Sequence, residues 1–507
     1  MEIIGRKSEI RALREYTTSE RPEFLVVYGR RRVGKTYLVR EFFANSFCFS
    51  CTGMVNEDSD EKPSISKARQ LAAFNAALNR YGSQDYESKD NWFESFCQLE
   101  HLVEHTQTEG KKVIFIDEMP WLDTPRSDFL SALEHFWNSF AAARSDVLLI
   151  ACGSATSWIA KKLFENTGGL FNRVTKRMHL KPFSLGETEE FFTSRGIVLN
   201  RYQMVESYMV FGGIPFYLDL FDRRYGLAQN IDLLCFGADA LLKGEYKILF
   251  STLFREPILH QAIVAALAGK ASGLTREEVS AASGAHNNGR LTEVLEELEE
   301  CGFLRRYRAF GKKSKGSVYQ LADPFVLFYH RFMKSGEIND THYWVNSALG
   351  GSHSAWSGYA FEQVCLAHVE QIRKALGIAG VVANVSAWRS TEETNAVENT
   401  NHDKRADAGN LQVDSRGAQV HSRGAQVDLI IDRADQIINL CEMKYSLREF
   451  EINKSYAEHL EMRARLFREQ TKTQKALHTT FVTTYGVKRN KYYHAVTSEV
   501  TMTDLFD

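Results

Sequence analysis

Nowhere do the 507 residues contain an uninterrupted apolar run of the roughly 18 residues that a membrane-spanning helix needs. The first residues mix charges into their apolar pattern, so no signal peptide is expected and the chain is placed in the cytoplasm, away from membranes. Excess charge is missing too: 62 Lys and Arg against 64 Asp and Glu leave −2, so any surface for a polyanion must be local. The eight cysteines are scattered, and the one close pair, Cys48 and Cys51, has no second CxxC or CxxH to complete a zinc site. Both lie in the apolar run 47–51, where core packing and reduced thiols are expected. From 391 to 427 there is not one aromatic residue, and this polar stretch is expected to be a flexible insertion. The rest is ordinary for globular chains, with 44% hydrophobic and 25% charged residues, and the length suggests about three or four domains.

What is present, first, is a phosphate loop. Residues 25–28, Leu-Val-Val-Tyr, read as a buried strand that runs into Gly29-Arg30-Arg31-Arg32-Val33-Gly34-Lys35-Thr36, a match to GxxxxGK[ST]. Gly29 and Gly34 let backbone N–H groups turn inward around phosphate, Lys35 reaches the β- and γ-phosphates, and the Thr36 hydroxyl is placed for Mg²⁺. Tyr37, Leu38, Phe42 and Phe43 recur at helical spacing, so a helix N-terminus points at the anion. Gly29 to Tyr37 is therefore the candidate ATP-binding segment. Residues 2–15 place Ile10 and Leu13 on one face of a short helix that could cover an adenine base.

Residues 113–116, Val-Ile-Phe-Ile, end in Asp117 and Glu118, as expected of a buried parallel strand delivering acids to its C-terminal edge. Asp117 is the candidate to hold Mg²⁺ through water, and Glu118 the general base for the water attacking the γ-phosphate. A further buried strand, 147–152, ends at Gly153-Ser154-Ala155-Thr156. Ser154 or Thr156 could sense the γ-phosphate, and capping of the next helix explains them equally well. Arg173, after Gly168-Gly169-Leu170-Phe171-Asn172, could stabilise transition-state charge in cis or across a subunit interface of a homo-oligomer; a surface salt bridge is the alternative.

Gly5-Arg6, the Arg30–Arg32 insert, Asp117-Glu118-Met119-Pro120-Trp121, the Gly153-Ser154 strand end and Phe211-Gly212-Gly213-Ile214-Pro215 together resemble the archaeal-type AAA+ ATPases, relatives of the signal-transducing STAND NTPases. The resemblance implies a helical lid over the nucleotide that carries Gly213 and Pro215, with Pro215 among the nucleotide-binding residues. Where that family often has Gly-Arg, this chain has Asn172-Arg173.

Residues 259–267, 276–283 and 290–301 read as three helices, followed by strands at 303–307 and 317–321 around the basic turn 311–316. That order is a winged helix. The turn could grip a phosphate backbone, and Asn287, Asn288, Arg290 and Thr292 could enter a major groove. Between 257 and 321, however, nine Lys and Arg stand against seven Asp and Glu, net +2, and the third helix carries Glu293, Glu296, Glu297, Glu299 and Glu300, which phosphates repel. DNA contact and a rigid spacer both remain open.

In the last third, 356–376 reads as one helix with Phe361, Cys365, His368 and Ile372 on a face. Glu362 lies beside it, shielded by Leu366 and Val369, which is costly unless it is paired or binds a cation. A strand is expected at 381–388. Residues 412–428 repeat a seven-residue unit, and the last copy runs into a strand, 427–432, that carries Asp428. A second strand, 436–444, puts Glu442 and Lys444 on one face, beside Asp428 if the two strands form a hairpin. Two carboxylates can hold Mg²⁺, and an ammonium beside them can orient or deprotonate an attacking water. The set resembles the PD-(D/E)xK nuclease superfamily, carried by Asp428, Glu442, Lys444 and Glu362, with Asp414 a rival metal ligand and a surface hairpin the alternative. Further strands are expected near 479–484 and 492–496.

The expected fold class is multidomain α/β: a P-loop AAA+-like core with a parallel sheet and helices on both faces (1–185), a helical lid (186–255), a winged helix (256–323) and a restriction-endonuclease-like α/β domain (324–507). The expected activity is ATP hydrolysis with Mg²⁺, coupled to DNA and to metal-dependent nuclease chemistry. The alternative is a nucleotide-dependent regulatory switch whose C-terminal fold only binds a partner.

Overall fold

The computed structural model describes residues 2–55, 63–82, 87–165, 170, 172–254, 256–311, 317–334, 340–347, 351–390 and 425–507. In the N-terminal third, β1 (Glu23–Tyr28), β2 (Phe49–Thr52), β3 (Lys112–Asp117), β4 (Val147–Gly153) and β5 (Lys176–His179) form a parallel sheet in the order β2-β3-β4-β1-β5. Every residue of β3 and β4 is buried, as continuous apolar runs require when helices cover both faces. Alternate side chains part to opposite sides: Leu25, Val27, Leu148 and Ile150 enter one core, and Phe24, Val26, Leu149 and Ala151 the other. β5, Lys-Arg-Met-His, has no apolar run to announce it, because it is an edge strand that buries only Met178.

The first of these cores continues past the parallel sheet. It runs through Phe211, Ile231 and Leu249, then Leu267, Leu298 and Phe325, to Leu429 and Val482 in the C-terminal sheet and Leu505 in the 3₁₀ turn Met502–Phe506 that follows it. Downstream of the ATPase sheet, helices Pro257–Ala268, Arg276–Ser283 and Gly289–Glu300 accompany a three-stranded antiparallel sheet of β6 (Leu274–Thr275), β7 (Leu304–Tyr307) and β8 (Val318–Leu321), ordered β6-β8-β7. β6 is too short for periodicity to reveal. The basic turn residues 312–316 lie outside the described residues.

β9 (Ala383–Arg389), β10 (Gln426–Arg433), β11 (Ile437–Lys444), β12 (Ala476–Thr483) and β13 (Ser498–Thr501) form a mixed sheet ordered β13-β12-β11-β10-β9. β9, β10 and β11 pair antiparallel, whereas β11, β12 and β13 pair parallel. Helix Gly351–Ala367 packs on one face, and helix Lys454–Thr471 sends Phe467 against Ile438 and Leu440 on the other. The expected insertion from 391, including Asp414, falls outside the described residues up to residue 424.

Two expectations change. The helix expected over 356–376 is two helices, Gly351–Ala367 and Val369–Ala375, because His368 breaks it: its Nδ1 turns back to the Val364 carbonyl (2.8 Å) and its Nε2 accepts the Leu185 N–H (3.0 Å). Residues 492–496, expected as a strand, instead make a 3₁₀ turn at Tyr493–Ala495, because Asn490 takes the Tyr492 N–H on its side chain (2.9 Å) and the Tyr493 N–H on its carbonyl (3.1 Å).

Candidate functional site

The three central strands of the parallel sheet end at one edge, where open α/β sheets bind ligands. β1 leads into the phosphate loop, β3 ends in Asp117, and β4 ends in Gly153 before Ser154. Gly29 has φ 141°, and a Cβ there would come within 2.3 Å of the Leu180 carbonyl oxygen, so a larger residue cannot make this turn. Gly34, at φ 89°, precedes helix Lys35–Phe42, and no side chain caps that helix, so its first N–H groups are left for an anion.

Lys35 is buried, and its ammonium donates to the carbonyls of Gly29 (3.0 Å) and Arg30 (3.0 Å) and to Ser154 Oγ (2.9 Å). Ser154 in turn holds Glu118: its hydroxyl donates to Oε1 (2.8 Å) and its N–H to Oε2 (3.2 Å). Glu118 stands in the left-handed region at φ 46°, a conformation uncommon for a residue with a side chain and concentrated at functional sites. The Thr36 hydroxyl lies 3.0 Å from each carboxylate oxygen of Asp117. Burial lowers the Lys35 ammonium from its ordinary value, and burial together with the Glu118 charge raises the Asp117 carboxyl. A cation and an anion each held against their burial are what a magnesium triphosphate satisfies. The lysine and the uncapped helix end offer donors to phosphate, and Thr36 and Asp117 offer hard oxygens to the metal. These residues fit the group.

The remaining loop residues are placed as follows. Val33 is core, Arg31 is half-buried, and Tyr37 is exposed on the helix after the loop. The Arg30 and Arg32 guanidiniums are not free for phosphate. Arg30 Nε is 2.6 Å from Asp323 Oδ2, and Arg32 Nη2 is 2.7 Å from Glu245 Oε2. Arg6 braces the loop from behind, donating to the carbonyls of Val33 (3.0 Å) and Lys181 (2.7 Å). Pro215 opens helix Pro215–Asp219, whose Phe216 ring lies 3.9 Å beneath the Arg32 guanidinium, and the Gly213 carbonyl takes the Phe183 N–H (2.6 Å). Arg173 is exposed, and Gly168, Gly169 and Phe171 lie outside the described residues.

A second cluster lies on the C-terminal sheet. β10 and β11 pair with Leu429 opposite Cys441, and the same register, carried one residue further, sets Asp428 across from Glu442. The β9–β10 register shifts between Val427 and Ile430, so the strand is irregular at Asp428. Glu442 is gripped on both oxygens: Arg463 Nη1 is 2.5 Å from Oε2, Lys444 Nζ is 2.9 Å from Oε1, and the Tyr456 hydroxyl also donates to Oε1. Burial alone raises such a carboxyl, but Arg463 and then Lys444 hold Glu442 well below the usual carboxylate range. Asp428 accepts from Gln426 Nε2, and burial, with the Glu442 charge, raises its carboxyl. Glu362 is also raised, by burial first and then by Asp428, so the two carboxyls sense each other. Among the described residues, Glu362, Asp428 and Glu442 do not gather into a three-ligand metal cluster, because Glu442 is turned onto its cations.

Sequence reasoning missed Asp323 and Glu245, which lie 293 and 213 residues from their arginines. It also missed Arg463 and Tyr456. A signal for Arg463 was available: it falls at helical spacing between Leu460 and Phe467 on the buried stripe of one helix. The groove-facing candidates of the three-helix unit are engaged with one another. Arg276 bonds Asn287 Oδ1 (2.7 Å), Thr292 Oγ1 (2.5 Å) and the Asn288 carbonyl (2.7 Å), Asn288 caps its helix, and Arg290 meets Glu293 (3.1 Å).

The sheet order, the glycine-bounded loop and the acidic strand end define a P-loop ATPase fold. Residues 3–221 match the family model described as an ATPase domain predominantly from Archaea. The chain is similar to an uncharacterized protein of Methanocaldococcus jannaschii, MJECL04, 24% identical over 409 residues that cover 80% of this chain and 86% of that one. Among solved structures it is similar to the Walker-type ATPase PABY2304 of Pyrococcus abyssi (19% identity, TM-score 0.47, 65% of this chain and 96% of that one). It is also similar to the Aeropyrum pernix ORC2 protein, solved as ADPNP–ADP complexes (14% identity, TM-score 0.38, 65% of this chain and 93% of that one). No helix among the described residues is long and apolar enough to cross a membrane.

Proposed function

We propose that the chain is an ATP-driven protein acting on DNA, in which magnesium-dependent hydrolysis at the phosphate loop governs a C-terminal domain of PD-(D/E)xK type. The observation that carries the ATPase half is the contact set at one sheet edge: Lys35 to Ser154, Ser154 to Glu118, Thr36 to Asp117. A bound magnesium ion would supply neutralisation of the triphosphate's charge. Lys35 exchanges the Gly29 and Arg30 carbonyls for phosphate oxygens. Thr36 and Asp117 would hold the ion, Asp117 through water, and Glu118 would take the proton of the attacking water while Ser154 fixes the carboxylate. Arg173 remains the candidate for transition-state charge, in cis or across a homo-oligomer.

For the nuclease half, the support is the register that sets Asp428 across from Glu442, with Lys444 on the same strand face as Glu442. Asp428 and Glu442 would hold Mg²⁺. Lys444, kept charged by Glu442 and Tyr456 against the lowering effect of its burial, orients the attacking water rather than deprotonating it. Helices Pro257–Ala268, Arg276–Ser283 and Gly289–Glu300 with β7 and β8 are read as a winged helix that contacts DNA. A supercoiled-plasmid nicking assay with Mg²⁺ or Mn²⁺ tests this half. Cleavage should be lost in Glu442→Ala and Lys444→Ala, and unchanged cleavage in both removes the assignment.

One observation favours a second reading, a nucleotide-dependent switch whose C-terminal fold only binds a partner: both Glu442 oxygens already have cationic partners. That reading requires ATP-dependent oligomerisation or partner capture with no metal-dependent cleavage.

A further inference from the structure

Two of the three consecutive arginines in the phosphate loop leave the loop altogether. Arg30 is 4% exposed and is bound through Nε to Asp323 Oδ2, 2.6 Å away, with its guanidinium carbon 5.8 Å from the Tyr217 ring and 5.6 Å from the Phe303 ring. The other oxygen of Asp323 is also in use: Oδ1 accepts the Val326 N–H (2.9 Å) and caps helix Pro324–Phe328. That helix is the next element after β8, where the chain leaves the three-helix unit for the C-terminal third, and its residues Phe325, Val326, Leu327 and Phe328 are buried. Arg32, at φ 71°, binds Glu245 at the start of helix Glu245–Leu253, and Glu245 also takes the Tyr217 hydroxyl (2.9 Å). The lysine expected to move when phosphate arrives donates to the backbone carbonyls of Gly29 and of Arg30 itself.

We infer that Arg30–Asp323 and Arg32–Glu245 form a relay that reports nucleotide occupancy of the phosphate loop to the helix entering the C-terminal third and to the helix at Glu245. Three physical points carry it. A buried ion pair resists separation, because parting its members leaves uncompensated charge in a low dielectric, so the loop and helix Pro324–Phe328 move together. Each carboxylate does a second task, one capping a helix and the other holding Tyr217, so a shift of either arginine is felt by a named element. Lys35 is the trigger: when its ammonium turns to phosphate, the Arg30 carbonyl loses its donor and the loop segment between the two arginines is released to readjust. The inference deepens the ATPase reading and rests on it.

The test is hydrogen–deuterium exchange on the full chain with and without ATP and Mg²⁺, beside a direct measurement of nucleotide affinity. In the wild type, nucleotide should change exchange at 324–328 and at 245–253. Asp323→Asn keeps an oxygen for the helix cap and removes the charge; it should abolish the change at 324–328 and leave that at 245–253. Glu245→Gln should do the reverse. By reciprocity each substitution should also shift nucleotide affinity, on the order of 5- to 150-fold. Bound nucleotide without a response at either helix in the wild type, or a response that survives both substitutions, overturns the relay and leaves the ATPase reading intact. Absence of nucleotide binding in the wild type overturns both. Should Asp323→Asn fail to fold, Arg30→Gln examines the same pair from the loop side.

Discussion

Ser154 and Glu118 are joined twice, by a hydroxyl hydrogen bond of 2.8 Å to one carboxylate oxygen and by a backbone N–H of 3.2 Å to the other. The serine fixes the carboxylate proposed to take a proton from water. Glu118→Gln should retain ATP and lose turnover by about a hundred- to ten-thousand-fold, the usual share of a general base. Ser154→Ala should cost about ten- to a hundred-fold in turnover, since a hydrogen bond to a charged group contributes roughly 1.5–3 kcal/mol. Steady-state phosphate release beside equilibrium ATP binding separates the two effects.

Arg463 faces Glu442 inside the C-terminal fold, and both are buried. Arg463→Met should destabilise that part of the chain by about 3–5 kcal/mol, because it strands a buried carboxylate with one of its two cations gone. Pairing it with Glu442→Gln should recover much of the loss. Thermal unfolding of the single and double variants measures the difference, and equal destabilisation in both contradicts the pairing.

His368 sets a pH dependence. It is neutral in the fold, with Nδ1–H on the Val364 carbonyl and a bare Nε2 accepting the Leu185 N–H, and burial pushes its pKa down from 6.5 to about 4. Because the folded value lies below the unfolded one, the unfolded chain binds the extra proton. Stability is therefore whole above about pH 6.5 and falls as pH drops toward 4, by up to about 3 kcal/mol. His368→Gln should flatten this slope in acid-unfolding curves relative to wild type.

The parallel sheet was legible because its central strands are unbroken apolar runs ending in glycine or acid, signals that lie within a dozen residues of one another. The edge strand β5 was not, since an edge needs no apolar run. The break at His368 was hidden because the residue fits the helical stripe, and only a partner 183 residues away turns it into a cap. At the phosphate loop the chemistry-bearing residues could be named, but the fates of Arg30 and Arg32 could not, because Asp323 and Glu245 come near only after folding. In the C-terminal set the alternation of Glu442 and Lys444 was readable. The cations that occupy Glu442 come partly from a helix beyond the strand, which spacing along β11 cannot reveal.

The most direct measurement is retention of labelled ATP and release of inorganic phosphate by the purified chain, compared with Lys35→Ala. Wild-type protein should bind ATP with Mg²⁺ and hydrolyse it, and the variant, stripped of the ammonium that bridges the loop to Ser154, should lose both. A wild type that neither holds ATP nor frees phosphate, or a variant indistinguishable from it, contradicts the ATPase assignment at its root.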